Sequence, residues 1–96
     1  MKALLIVHNM ALNEQVNEIV ESAGLNGYTK FPNILGKGAI SEPHLGTDVW
    51  PETNCGTFVV ADEAKTSELM RSIRRMREKL GSEGVKAFMW EIADFT

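Results

Sequence analysis

Two amphipathic stripes constrain this chain more than any other feature, because each lies between short apolar runs of strand length. Val16, Ile19, Val20 and Ala23 recur at helical intervals, as do Leu69, Met70, Ile73, Met76 and Leu80. Each set therefore gathers on one side of an α-helix. Ala3–Val7 ahead of the first stripe is aliphatic throughout and reads as a buried strand. A second strand is expected from Tyr28 to about Leu35, where Pro32 demands a bulge or an edge position. A third is expected over Gly56–Ala61 and a last over Val85–Ile92. Asn9 or Asn13 suits the start of the first helix and Gly24 its end; Thr66 and Gly81 suit the second. The order β-α-β-β-α-β predicts an α+β, ferredoxin-like sandwich: an antiparallel four-stranded sheet with two helices on one face.

That architecture leaves one sheet face bare. Phe88 and Trp90 fall on one side of the last strand and Met89 on the other, so both faces carry bulk. At 96 residues the chain is read as a single domain over 1–96. A core that small leans on partners, and the bare face predicts self-association. Apolar residues at 44% and charged ones at 24% exclude a disordered or fibrous chain. The longest apolar run, Ala3–Val7, is too short to cross a membrane or to form a signal-peptide core. Cys55, the sole cysteine, has no disulfide partner within the chain, and a cytoplasmic address is expected.

The net charge of −3 is unevenly spread: residues 1–64 carry −5 and residues 65–96 carry +2. The positive excess sits on Arg71, Arg74, Arg75, Arg77 and Lys79, interleaved with Glu68 and Glu78. No aromatic residue lies among them, so the pattern reads as a solvated helix face and not as a nucleic-acid footprint.

The connection between the second and third strands is the unusual part. About 20 residues separate Leu35 from Gly56, far beyond the two to five of an ordinary hairpin. Pro43 and Pro51 stiffen it, and it holds His44, Gly46 and Trp50, which a flexible linker would not need. Gly36-Lys37-Gly38 offers free amides and one ammonium, the parts of an anion-binding nest, but it is too short for a Walker motif. His44, Asp48, Glu52 and Cys55 match no compact zinc spacing. His44 is expected to brace the loop through its two ring nitrogens. Cys55 reads as a small buried hydrophobe and His8 as a hydrogen-bonding residue at a strand end. No nucleophile, base and orienter come together in the sequence, and no enzyme activity is expected.

The strand order, the over-long loop, Lys30-Phe-Pro-Asn, Gly36-Lys37-Gly38, Pro43-His44-Leu45-Gly46-Thr47 and Trp50-Pro51 together resemble the nitrogen-regulatory PII superfamily, in its divergent PII-like branch. The resemblance covers nearly the whole chain at the level of fold, and residues 28–57 at the level of motifs. It implies a homotrimer with sheets packed inward, a small effector held between subunits, and a long T-loop that contacts a target transporter or enzyme. It implies ligand contacts from Gly36, Lys37, Gly38, His44, Gly46, Thr47, Gly84 and Lys86, with Ile40, Glu42 and Trp50 facing the target. The ligand would be an adenine nucleotide or a small anionic metabolite. The phosphate-cradling turn of true PII proteins is shorter here and carries Glu83. Residues 91–96 hold none of the arginines that complete the nucleotide site, and the only tyrosine, Tyr28, lies outside the loop. ATP binding and uridylylation therefore do not carry over. The CutA-type divalent-cation proteins share the topology and the trimer, and would use His44 and Cys55 as metal ligands; they are the alternative.

Overall fold

The computed structural model describes residues 1–35, 53–81 and 84–96. Its elements run β1 (Lys2–Asn9), a 3-10 turn (Met10–Leu12), α1 (Asn13–Ser22), β2 (Thr29–Ile34), β3 (Asn54–Ala61), α2 (Glu63–Leu80) and β4 (Val85–Glu91). The strands form a four-stranded antiparallel sheet in the order β2-β3-β1-β4, the split arrangement expected.

The layer between sheet and helices is the core. Leu4 and Ile6 of β1, Val59 of β3 and Val85 of β4 meet Val16 and Val20 of α1 and Leu69 and Ile73 of α2. Full burial of a Leu or Ile side chain contributes about 1.5–3 kcal/mol, so these few residues dominate the stability of the layer. The stripes read from sequence are thus the inward faces. Met70 and Met76 sit at the margin, and Leu80 is already exposed.

Several boundaries differ from the expected ones for identifiable reasons. α2 begins at Glu63 because Asp62 caps it: its carboxylate accepts the Lys65 amide at 2.8 Å. Thr66 lies inside the helix, where its hydroxyl donates back to the Asp62 and Glu63 carbonyls. β3 starts at Asn54, two residues before Gly56, because the ladder with β1 continues through Cys55↔His8 and Asn54↔Asn9. Asn9 caps the 3-10 turn through the Ala11 amide, whereas α1 starts with no side-chain cap.

Pro32 sits where sterics allow it, on edge strand β2 and inside a register shift between Phe31 and Ile34. Asn33 completes that bulge with φ of 57°, a left-handed value that asparagine tolerates better than most residues. The helix-free face carries Phe31, Phe58, Phe88 and Trp90. Phe88 is 53% and Trp90 45% exposed, and the Phe58 and Trp90 rings stand 6.0 Å apart. Among the described residues nothing covers this face.

Candidate functional site

The roots of both inter-element connections converge on the C-terminal end of β1. The Asn9 amide donates to the Gly84 carbonyl at 2.7 Å, and the next amide, Met10, donates to the Thr53 carbonyl at 2.9 Å. The last residue of β1 and the first of the 3-10 turn thus hold the turn before β4 and the return of the long connection into β3. On the other side of that connection, Ile34 pairs with Asn54.

Beneath this junction lies a polar network in an otherwise apolar layer. Strand alternation turns Ile6 and His8 of β1 towards the helices, and register places Thr57 and Cys55 of β3 beside them. β2 brings in Lys30 opposite Thr57. His8 is 1% and Thr57 0% exposed, so each needs its hydrogen bonds made inside the protein. His8 Nε2 stands 2.8 Å from Thr57 Oγ1, and Nδ1 stands 3.0 Å from the Asn9 carbonyl. The Lys30 ammonium donates to Thr57 Oγ1 at 2.6 Å and to Asn13 Oδ1 at 2.9 Å, and lies over the Tyr28 ring.

Chemistry fixes the direction of these bonds. A carbonyl only accepts, so Nδ1 of His8 carries a hydrogen; an ammonium only donates, so Thr57 accepts from Lys30. The Thr57 hydroxyl hydrogen is then free to be donated to an unprotonated Nε2. The donor chain runs Lys30 to Thr57 to His8 to Asn9, and it requires a neutral imidazole. Burial holds the His8 pKa below its ordinary 6.5; the Asn9 carbonyl opposes this, and the Lys30 charge adds to it. Burial likewise lowers the Lys30 pKa, with Cys55 acting in the opposite sense. Among the described residues no carboxylate pairs with Lys30.

The residues expected to bind ligand fall into two groups. Gly36, Lys37, Gly38, His44, Gly46 and Thr47 lie outside the described residues, as do Ile40, Glu42 and Trp50. Gly84 and Lys86 are described. Gly84 adopts φ of 107° and gives its carbonyl to Asn9; Lys86 is exposed and opposite Val7 on the helix-free face. They stand across β1 from β3, two strand spacings or about 10 Å from the root of the long connection. Cys55 is buried, with its thiol near Asn13 and the Gly56 carbonyl, and belongs to the core. His44, the other half of the alternative metal pair, lies outside the described residues. Among the described residues, no three His, Cys, Asp or Glu side chains come together. No described helix is long and apolar enough to cross a membrane.

Lys30, Thr57 and Asn13 were not singled out by sequence as a site. The available signal was alternation: Lys30 and Thr57 occupy inward positions of their strands, where an apolar residue is the default.

Comparison with protein-family models and with curated proteins returns no match. Among solved structures the fold has clear counterparts in PII-like proteins. CPII from Thiomonas intermedia K12, bound to ADP and bicarbonate, superposes with a TM-score of 0.74 at 24% identity, covering 95% of this chain and 84% of that one. Its apo form gives 0.73 at 21% identity, covering 95% and 87%. A PII-like signalling protein from Thermus thermophilus gives 0.67 at 22% identity, covering 95% and 84%. The fold class is ferredoxin-like α+β; within it, this chain has the fold of the PII-like proteins.

Proposed function

We propose that this chain is a PII-like regulatory protein that senses a small ligand and passes its presence to a target transporter or enzyme. It acts without catalysis, as a cytoplasmic homotrimer assembled through the helix-free sheet face. The observation that carries this reading is the convergence of two connections on Asn9 and Met10. A ligand lodged against the Gly84 turn is mechanically linked, through adjacent peptide groups, to the segment that follows Ile34. The ligand-bound state of CPII, with ADP and bicarbonate, supports the choice of ligand class.

The ligand is an adenine nucleotide or a small anion such as bicarbonate. Lys86 and the amides around Gly84 supply attraction on one side, and Gly36, Lys37, Gly38, His44, Gly46 and Thr47 supply it on the other. Glycine amides and ammonium groups bind oxyanions by charge-assisted hydrogen bonds and need no catalytic group. Ile40, Glu42 and Trp50 meet the target. Isothermal titration of ADP, AMP and bicarbonate into wild type and Lys86→Ala tests the site. Binding weakened about tenfold in the variant, roughly 1.4 kcal/mol, is the expected result. Absence of binding by all three ligands overturns the reading.

A further inference from the structure

The His8 network is unexplained by ligand contact, since it lies on the helix side of the sheet. Its geometry nevertheless reaches both loop roots, because the peptide group whose carbonyl His8 holds joins Asn9 to Met10. Their two amides bond Gly84 and Thr53.

Consider what one proton does here. With the ring neutral, Thr57 accepts from Lys30 and donates to Nε2. With the ring charged, Nε2 becomes a donor. Thr57 Oγ1 must then accept from both cations, and its own hydrogen loses its acceptor. The two charges stand no more than about 5.4 Å apart, joined through one hydroxyl oxygen. Among the described residues, no acid around the ring relieves them. β3 faces it with Cys55 and Thr57, β2 with Lys30, and β4 with Val85. α1 contributes the neutral amide of Asn13, and its Glu14 is exposed. α2 buries Thr66, Leu69 and Ile73, and of its charged side chains only Arg77 is half-buried. Lys86 projects from the opposite sheet face.

We propose that His8 is a proton-operated latch: neutral, it holds the Asn9–Met10 peptide so that both loop roots are tied to β1; charged, it repels Lys30 across Thr57 and both roots loosen together. Resting on the ligand-sensing reading above, this makes ligand grip pH-dependent, tighter in neutral than in mildly acidic solution. The depressed His8 pKa agrees with a ring that the folded state keeps neutral.

The Asn9 and Met10 amides are their own reporters. Their hydrogen exchange is followed by NMR from about pH 7.5 to 5, corrected for intrinsic chemistry, beside the His8 ring resonances and the core amides of Leu4 and Val59. In wild type, protection at Asn9 and Met10 falls about tenfold as the His8 ring titrates, while Leu4 and Val59 hold. His8→Gln, which leaves His44 in place, shows no such fall. In Lys30→Met the ring titrates at higher pH and the fall is smaller, because the repelling charge is gone. Wild-type protection that ignores pH overturns the latch, as does an equal fall in His8→Gln. So does simultaneous loss at all four amides, which is global unfolding. Should His8→Gln not fold, the wild-type ring and amide curves still decide the matter. ADP affinity is measured on the same samples. Weakening in step with amide exposure supports the coupling, and unchanged affinity with open roots overturns it. No ADP binding even at the highest pH overturns the sensor reading for this ligand, while the exchange data judge the latch independently.

Discussion

Phe31 lies across Gly56: the strands pair these two residues directly, and a Cβ built on Gly56 would stand 3.4 Å from two carbons of the Phe31 side chain. The absent side chain is what lets the aromatic ring settle on the edge of the sheet. Gly56→Ala places a methyl in close van der Waals contact with Phe31. Gly56→Val adds two further methyls against Phe31 and Ile34. The expected losses are below about 1 kcal/mol for alanine and about 1–3 kcal/mol for valine, read as shifts of the urea midpoint at constant slope. Equal stability of the two variants would show that the ring does not rest there.

Thr57→Val removes the hydroxyl that Lys30 and His8 share while keeping the shape. Two buried or half-buried partners lose a bond at once, and the expected loss is about 1–3 kcal/mol. Lys30→Met in the same background should cost less than it does alone. A double-mutant cycle in chemical denaturation measures this coupling; simple additivity would contradict the shared network.

Stability should also depend on pH through His8. A ring whose folded pKa is depressed binds fewer protons in the folded state than in the unfolded one, so stability rises with pH over the interval between the two values. The contribution is complete above the ordinary value of 6.5 and declines as pH falls below it towards the folded value. Urea denaturation at a series of pH values should show this slope in wild type and a shallower one in His8→Gln.

The bare sheet face is expected to close a trimer. Phe88→Lys, which introduces a charge among Phe58, Phe88 and Trp90, should convert the assembly to monomers in light scattering at micromolar concentration. A lysine buried at an apolar contact costs several kcal/mol, beyond what a small interface tolerates. A monomeric wild type would refute the assembly outright.

Zinc and copper are expected to bind weakly. Cys55 is buried in the core and hydrogen-bonded within it, which withdraws its thiol from solvent metal. Tight zinc binding abolished by His44→Ala would favour the CutA-type reading.

The fold was legible because its signals are periodic. Leu69 and Ile73 announce a helix face, Ala3–Val7 announces a strand, and Pro32 announces an edge; each acts through local sterics or through burial. The cap of α2 was less legible because Asp62 and Thr66 are both good capping residues, and only the backbone conformation at residue 62 decides between them. The polar network was the least legible. Lys30, Thr57 and His8 come from three strands, and no spacing along a chain reveals which residues a sheet will place side by side. Gly84 and Lys86 were named through a family likeness, and their separation from the other root by two strand spacings, about 10 Å, emerged only with the order of the strands.

The pairing of Ile34 with Asn54 has a consequence for how such a protein changes over time. It fixes the mouth of the intervening segment at a single strand spacing, just beyond the bulge at Pro32 and Asn33. Once the mouth is fixed, the entropic cost of closing the chain grows only as the logarithm of its length, about 0.6 kcal/mol for each doubling. The body is therefore nearly indifferent to what is inserted there. A change in the length of the segment between Ile34 and Asn54 costs the paired strands little, and the fold can persist while that segment varies.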